Sequence, residues 1–382
     1  MDQVHERLVP SRGPPRVAVV ILHYQGFETL ANCIESVVGS EYPNLTVVLV
    51  DNGSIDGSTD EAEKKYGNRI NVLKLGKNLG FVRGYNAALR QVQADYVVLL
   101  NDDTVVDPYW LNSLVSAAES DPGIAACQPK LRWLSQPSYF EYNGACGGML
   151  DMCAVPFTRG RLFDKAEEDI GQYDTNIDVF WASGAAMFLR YSALEEAGFL
   201  EDLFYAHMEE IDLSWRLRLR GYRVVSVPYS LVYHQGGSTG LDSKSFLKHR
   251  NNLFMMVKNY STRSLVKYLP MRFMMDIGSV VYSTINRRAK MDTGGLRAYV
   301  WLVRNMRKVV MRRREIQSRR VVSDETILRS MAKPNVVFQY FLLKRLRFSQ
   351  LGGLPLPTRK YLNGVPPEMI GKTETVAVQS IF

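Results

Sequence analysis

Cysteine is scarce. The 382 residues hold four, Cys33, Cys127, Cys146 and Cys153, with no CxxC spacing among them. That argues against a disulfide-built scaffold or a cysteine zinc site and predicts reduced core thiols in a reducing compartment. No secretory signal opens the chain. Residues 1–15 are polar and proline-rich and are expected to form a loose tail. A clean membrane span is also missing, because the apolar stretch 265–285 carries Lys267, Pro270, Arg272 and Asp276. The glycine-rich stretch 78–86 is neither GxGxxG nor GKS/T, so it indicates neither a dinucleotide site nor a P-loop. There is no internal repeat and no helix-turn-helix, zinc-finger or RNP pattern, which argues against nucleic acid as the partner.

What the chain has is a large apolar content, 46% hydrophobic and 11% aromatic, enough for a full α/β domain with an appendage. The net charge of +8 is concentrated. Residues 262–320 hold fifteen Lys and Arg against Asp276, Asp292 and Glu315, a local +12, leaving about −4 for the rest. A basic block of this kind is either a solvated helical surface or a contact for a polyanion such as an anionic membrane face.

From Val17 onward strand-like and helical runs alternate. Strands are predicted at 17–23, 45–51, 71–75 and 96–101, and helices at 27–38, 56–66, 80–92 and 108–120. Repeated strand-helix-strand units predict a parallel sheet with ligands at the strands' carboxyl ends. Residues 131–178 break the rhythm and read as an insertion with a hairpin near 144–151. In 211–219 the apolar residues alternate like a strand, but Asp212 and Arg216 at i,i+4 and strong helix formers favour a helix. Short strands are expected at 223–227 and 231–234, a helix from 243 to about 260, an amphipathic surface helix over 299–320, and an irregular tail over 346–382.

The chemistry sits at strand ends. Asp102 and Asp103 follow the apolar run 96–100, and two acids there are costly to desolvate unless a cation binds them. Mg2+ or Mn2+ carrying a diphosphate fits, since these ions take one or two carboxylates plus substrate phosphates. His23 and Asp51 end two neighbouring strands, and Asp51 is placed to accept hydrogen bonds from a nucleobase. The stretch with Asn78, Gly80 and Arg83 opens a helix whose amides and guanidinium suit phosphate. Glu209, Glu210 and Asp212 put three carboxylates in four residues, one of them a general base, or simply acids favouring a helix N-terminus. His234 ends a strand and is either a metal ligand or an ordinary hydrogen-bonding side chain.

Taken in order, Asp51-Asn52-Gly53-Ser54, Asn78-Leu79-Gly80, Asn101-Asp102-Asp103, Ser183-Gly184-Ala185, Glu209-Glu210 with Asp212, and Arg216-Leu217 resemble inverting glycosyltransferases of family 2. The resemblance covers residues 16–260 and is nearest to rhamnosyltransferase-like members that build cell-surface polysaccharides. It implies a GT-A fold, a Rossmann-like, mostly parallel central sheet flanked by helices, with a C-terminal helical extension. The divisions it suggests are a tail at 1–15, a catalytic domain at 16–260, a basic amphipathic region at 261–345 and an irregular tail at 346–382. It implies a donor site of His23, Asp51, Asn78, Gly80, Arg83, Asp102 and Arg250, metal ligands Asp103 and His234, and an acceptor wall of Trp181, Ser183 and Gly184. Glu210 is the implied base, standing where the family more usually has Asp, with Glu209 and Asp212 as alternates. Mg2+ or Mn2+, a dTDP- or UDP-sugar, a lipid-linked glycan acceptor and a cytoplasmic place on the inner face of the plasma membrane complete the expectation. A sugar nucleotidyltransferase would lack the Glu209–Asp212 cluster. An inactive GT-A glycan-binding module has only Glu210 in place of Asp in its favour.

Overall fold

In the computed structural model, residues 13–141, 144–236, 244–285, 293–333, 336–355 and 360–361 are described. The apolar runs form inner strands. β1 (Val17–His23) lies between β2 (Leu45–Asp51) and β4 (Tyr96–Asn101), with β3 (Asn71–Lys74) outside β2, all parallel. The register pairs His23 with Asp51 and Leu22 with Asn101, so the strands' polar ends are level. α1 (Phe27–Val38), α2 (Ser58–Tyr66), α3 (Phe81–Leu89) and α4 (Trp110–Glu119) flank this half. Strand alternation divides the core: Val17, Val19 and Ile21 pack with Leu30, Ile34 and Trp110, while Ala18 and Val20 face Val82, Tyr85 and Leu89.

The other half of the sheet is mixed rather than parallel. β5 (Thr104–Val106) turns back directly after β4, and β6 (Ile124–Trp133) and β7 (Gln136–Phe140) follow α4. A small second sheet holds β8 (Gly148–Leu150), β9 (Pro156–Thr158), β10 (Arg161–Leu162) and β11 (Lys165–Ala166). Its β8–β9 hairpin is the one expected in the insertion, shifted slightly along the chain. β12 (Asn176–Asp178), β13 (Ala186–Arg190), α5 (Tyr191–Ala197), α6 (Glu209–Leu219) and β14 (Arg223–His234) come next. β13 runs antiparallel to both β4 and β6, and β14 is parallel to β6. β14 is one strand with a register shift between Val227 and Leu231, where the sequence suggested two.

The helical extension is α7 (Lys244–Asn259), α8 (Thr262–Ile285), α9 (Gly294–Arg304), α10 (Met306–Ser318), α11 (Asp324–Arg329) and α12 (Val336–Phe341). The expected single helix over 299–320 breaks at Asn305. Lys360–Tyr361, within the expected irregular tail, adds β15 beside β12. One apolar cluster runs without a break from Ala18 and Val20 through Leu217 and Phe254 to Leu302, Ile327 and Leu351. The four cysteines are buried and free.

α6 explains its own ambiguous pattern. It is enclosed on nearly every side, so apolar and charged residues are buried together: Ile211, Leu213, Trp215 and Leu217 in the core, Asp212 and Arg216 in an ion-pair network. Asp212 Oδ2 accepts from Arg216 Nε at 2.9 Å and Lys258 Nζ at 2.8 Å, and its Oδ1 accepts from Asn259 at 2.9 Å. Lys258, fully buried on α7, also reaches Glu201 Oε2 at 2.9 Å. Burial would raise the Asp212 carboxyl, but Lys258 and Arg216 outweigh it and hold it low. Removing one member leaves an uncompensated buried charge. Lys258→Met should therefore lower stability by about 3 kcal/mol in urea unfolding; a loss below about 1 kcal/mol would mean the network is solvated.

Candidate active site

The turn between β4 and β5 presents two acids to opposite sides. Asp102 Oδ2 lies 2.7 Å from His23 Nδ1 at the end of β1, and His23 Nε2 lies 2.7 Å from Ser58 Oγ. β5 pairs antiparallel with β14, matching Thr104 to His234, and the Gln235 amide donates to the Asp103 carbonyl at 2.9 Å. Asp103 Oδ1 is thereby set 3.0 Å from His234 Nε2, and Glu141 Oε1 lies 3.2 Å from His234 Nδ1. Burial would lower the imidazole, but Asp103 and Glu141 raise it to about 10.

Asp103 and His234 are the residues that could hold a divalent ion, which would have to displace the imidazole proton between them. Asp103 Oδ1 and His234 Nδ1 are buried at ion-pair distance from their neighbours but lack aligned hydrogen bonds. The 3.0 Å between Asp103 Oδ1 and His234 Nε2 is the distance of an ordinary ion pair, and Asn101 Nδ2 lies 3.4 Å from the same ring nitrogen. Glu141 behind Nδ1 is the carboxylate that commonly orients a ligating imidazole. Among the described residues no cluster of three or more His, Cys, Asp or Glu is arranged for a metal. An ion held by this pair would have to complete its shell with phosphate and water.

The loops after β2 and β3 interlock at the same carboxyl edge of the sheet. Asp51 Oδ1 accepts from the Ser54 amide at 2.7 Å. Asn52 Oδ1 accepts from the Leu79 amide and Asn78 Oδ1 from the Gly80 amide, both at 2.8 Å. Gly53, at φ 79°, has no room for a side chain: a Cβ would sit 2.6 Å from the Lys77 backbone. Arg83 is exposed on the first turn of α3. Tyr205 packs over Gly80, where a Cβ would come within 2.5 Å of its ring.

Glu210 opens α6 next to Gly184. A Cβ on Gly184 would lie 3.8 Å from Glu210 Cβ and 3.7 Å from Phe81 Cζ. Glu210 keeps some exposure, yet its Oε2 is shut off from solvent and has no hydrogen-bond partner, as has Glu209 Oε2. Burial raises the Glu210 carboxyl to about 7. Burial, then the Glu210 charge, push Glu209 well above the carboxylate range. Asp212, the other alternate, faces away into the Lys258 network. Trp181 is buried and donates from Nε1 to the Met149 carbonyl at 2.8 Å. Ser183 is buried too, and its Oγ accepts from the Ala185 amide at 3.2 Å.

Arg250, expected in the donor group, sits on α7. Its guanidinium holds the Leu203 carbonyl at 3.0 Å and stacks on Trp301 at 5.1 Å, bracing the loop before α6. His207 and Met208 in that loop both have positive φ, 72° and 71°. Asn251 Nδ2 donates to the Ala206 and His207 carbonyls at 2.8 and 2.7 Å, which over-determines this strained launch of α6. Glu141 and the launching role of Asn251 had no motif to announce them, and the contacts of Ser58 and Tyr205 could not be read from their motifs, since each matters through partners remote in sequence.

The description "Glycosyl transferase family 2" matches residues 18–194. The chain carries a family 2 glycosyltransferase domain. It is 27% identical over 234 residues to N-acetylglucosaminyl-diphospho-decaprenol L-rhamnosyltransferase of Mycobacterium tuberculosis, covering 57% of this chain and 76% of that protein. It is 23% identical over 227 residues to poly-beta-1,6-N-acetyl-D-glucosamine synthase of Staphylococcus aureus, covering 57% of this chain and 49% of the synthase. The structure of GalNAc-T7 with UDP, GalNAc and Mn2+ aligns at TM-score 0.53 and 15% identity, over 67% of this chain and 50% of that one, a likeness of fold. The glycosyltransferase has the GT-A fold, with its mixed sheet curled between helices. Asn251→Ala should lower kcat of this transferase about tenfold or more while leaving donor affinity within about twofold, since two hydrogen bonds of about 1 kcal/mol each are lost. A second change, Met208→Gly, relieves the backbone strain and should restore part of kcat; an unchanged kcat in Asn251→Ala removes the positioning role.

Proposed function

We propose that this glycosyltransferase moves a sugar, rhamnose as first choice, from a dTDP- or UDP-linked donor to a hydroxyl of a growing, lipid-linked cell-surface glycan, with inversion and with Mg2+ or Mn2+ bound. Support for sugar and acceptor comes from the mycobacterial relative, named for rhamnosyl transfer to a diphospho-decaprenol acceptor. The reading places the enzyme in the cytoplasm against the inner face of the plasma membrane, where such an acceptor resides.

The observation that carries the reaction is the Glu210 carboxyl, raised to about 7 by burial and without a hydrogen-bond partner at Oε2, on the Gly184 side of the Asp102–Asp103 turn. Asp103 and His234 would hold the divalent ion, which when bound would neutralise charge on the leaving nucleoside diphosphate. Asp51 accepts from the nucleobase, the Asn78–Gly80 turn and Arg83 lie on the diphosphate, and His23 holds Asp102 in place. Trp181, Ser183 and Gly184 shape the acceptor wall. Glu210 takes the proton from the acceptor hydroxyl as its oxygen bonds to the anomeric carbon. The bond to the diphosphate breaks on the opposite face, and one displacement inverts the centre. The diphosphate leaves without a proton, so no catalytic acid is needed. Glu209, held neutral by burial, adds no second charge beside the base.

The test is a thermal-shift screen of nucleotide sugars with Mn2+, followed by turnover. Asp103→Ala should abolish the metal-dependent donor shift. Glu210→Gln should keep that shift and lose about 10²–10⁴-fold in kcat; retained turnover would move the base to Glu209. Glu210 is a base only when ionised. kcat/KM should therefore rise with pH through about 7 and level off above it, and a flat profile from pH 5.5 to 8.5 contradicts the assignment.

A further inference from the structure

The 24-residue helix α8 buries one side and exposes the other. Ser264, Tyr268, Arg272 and Asp276 are buried, at intervals of four. Val266, Met271, Met274 and Val281 are exposed, Val266 at 72% and Met274 at 65%. Large apolar side chains this open on successive turns are the mark of a surface that meets something other than water. The one acid of α8, Asp276, is turned inward and bonded by Arg272 and Tyr299. Charge on the outer face therefore comes from Arg263 and Lys267 alone.

α9 and α10 repeat the pattern. Val303, Met306 and Met311 are exposed at 69%, 49% and 61%, interleaved with exposed Arg304, Arg307, Lys308 and Arg314. Met306, Arg307, Val310, Met311 and Arg314 lie side by side on one face of α10. The one acid in these two helices, Glu315, is already paired with Arg312 and Arg319. Among the described residues no helix is long and apolar enough to cross a membrane.

We infer that the outer faces of α8, α9 and α10 are a docking surface for an anionic lipid bilayer. The valine and methionine side chains enter the boundary between headgroups and acyl chains, and the Arg and Lys side chains extend to lipid phosphates. The single sign of charge selects this occupant. A second copy of the chain would bring like charges together in an isologous contact. Nucleic acid would answer the cations and leave the methionines and valines in water. The surface is also wired to the active site: Trp301 of α9 lies under Arg250, which holds the Leu203 carbonyl in the loop before Glu209 and Glu210. The inference deepens the peripheral location of the proposed function and needs no turnover, so its failure leaves the assigned reaction standing.

The experiment is co-sedimentation of the full chain with vesicles of phosphatidylcholine alone or mixed with phosphatidylglycerol at about 30%. Binding is expected to the mixed vesicles at low salt, to weaken in 0.5 M NaCl (about one Debye length of 4 Å), and to be slight on neutral vesicles. Arg263→Glu with Lys267→Glu and Arg307→Glu should lower partitioning about tenfold or more. Met271→Ser with Met274→Ser and Met311→Ser should lower it severalfold, and both triple variants should keep the parent's unfolding temperature and donor-induced thermal shift. The inference is overturned if the chain stays in the supernatant with anionic vesicles at low salt, or if neither triple variant weakens binding. It is equally overturned if the methionine variant binds vesicles like the parent while the chain binds duplex DNA more tightly than vesicles, the outcome expected of a nucleic-acid surface.

Discussion

Two carboxylates cannot sit side by side at the edge of a buried strand without cationic or polar partners, and the GT-A sheet is arranged around that requirement. Asp102 and Asp103 are adjacent in sequence, so their side chains leave the turn on opposite sides. One meets His23 from β1 and the other meets His234 from β14. The small antiparallel pairing of β5 with β14 makes the second meeting possible, and Glu141 then stands behind the imidazole. Without β5 doubling back, Asp103 would face an open cleft and His234 would end an unrelated strand.

The three acids of α6 show how environment alone separates chemically similar groups. Asp212 is fully buried but met by Arg216, Lys258 and Asn259, and it holds the helix to α7. Glu209 is buried without compensation and is driven towards its neutral form. Glu210 sits between these extremes, with one oxygen shut from solvent, at the edge of the Gly184 gap. The same network explains why the helical extension belongs mechanically to the catalytic part. Lys258, Asn251 and Arg250 all come from α7, and the apolar core continues from β1 to Leu351 without a seam.

The first half of the fold was legible in the sequence because its determinants are local. β1, α1, β2 and β4 fall at their expected residues, since each is an apolar run or a 3.6-residue stripe bounded by glycine or polar groups. The remainder was less legible wherever pairing is long-range. β5 and β12 are three residues each and depend on pairing with β14, joined at β12 by β15, and the antiparallel course of β13 leaves no local trace. The apparent two strands at 223–234 are one strand interrupted by a bulge around Pro228, a residue that cannot donate to a ladder.

By itself the sequence determined that paired acids would end a core strand in a βα-alternating domain, and that the positive charge would gather in the later helices. Those facts follow from residue type and near-neighbour spacing. Only the tertiary structure decided which acid meets which histidine, which of three clustered carboxylates is tied into an ion-pair network, and which sides of α8 to α10 face outward. Each of these depends on side chains tens to more than a hundred residues apart being desolvated together, and desolvation is a property of the packed assembly rather than of any segment.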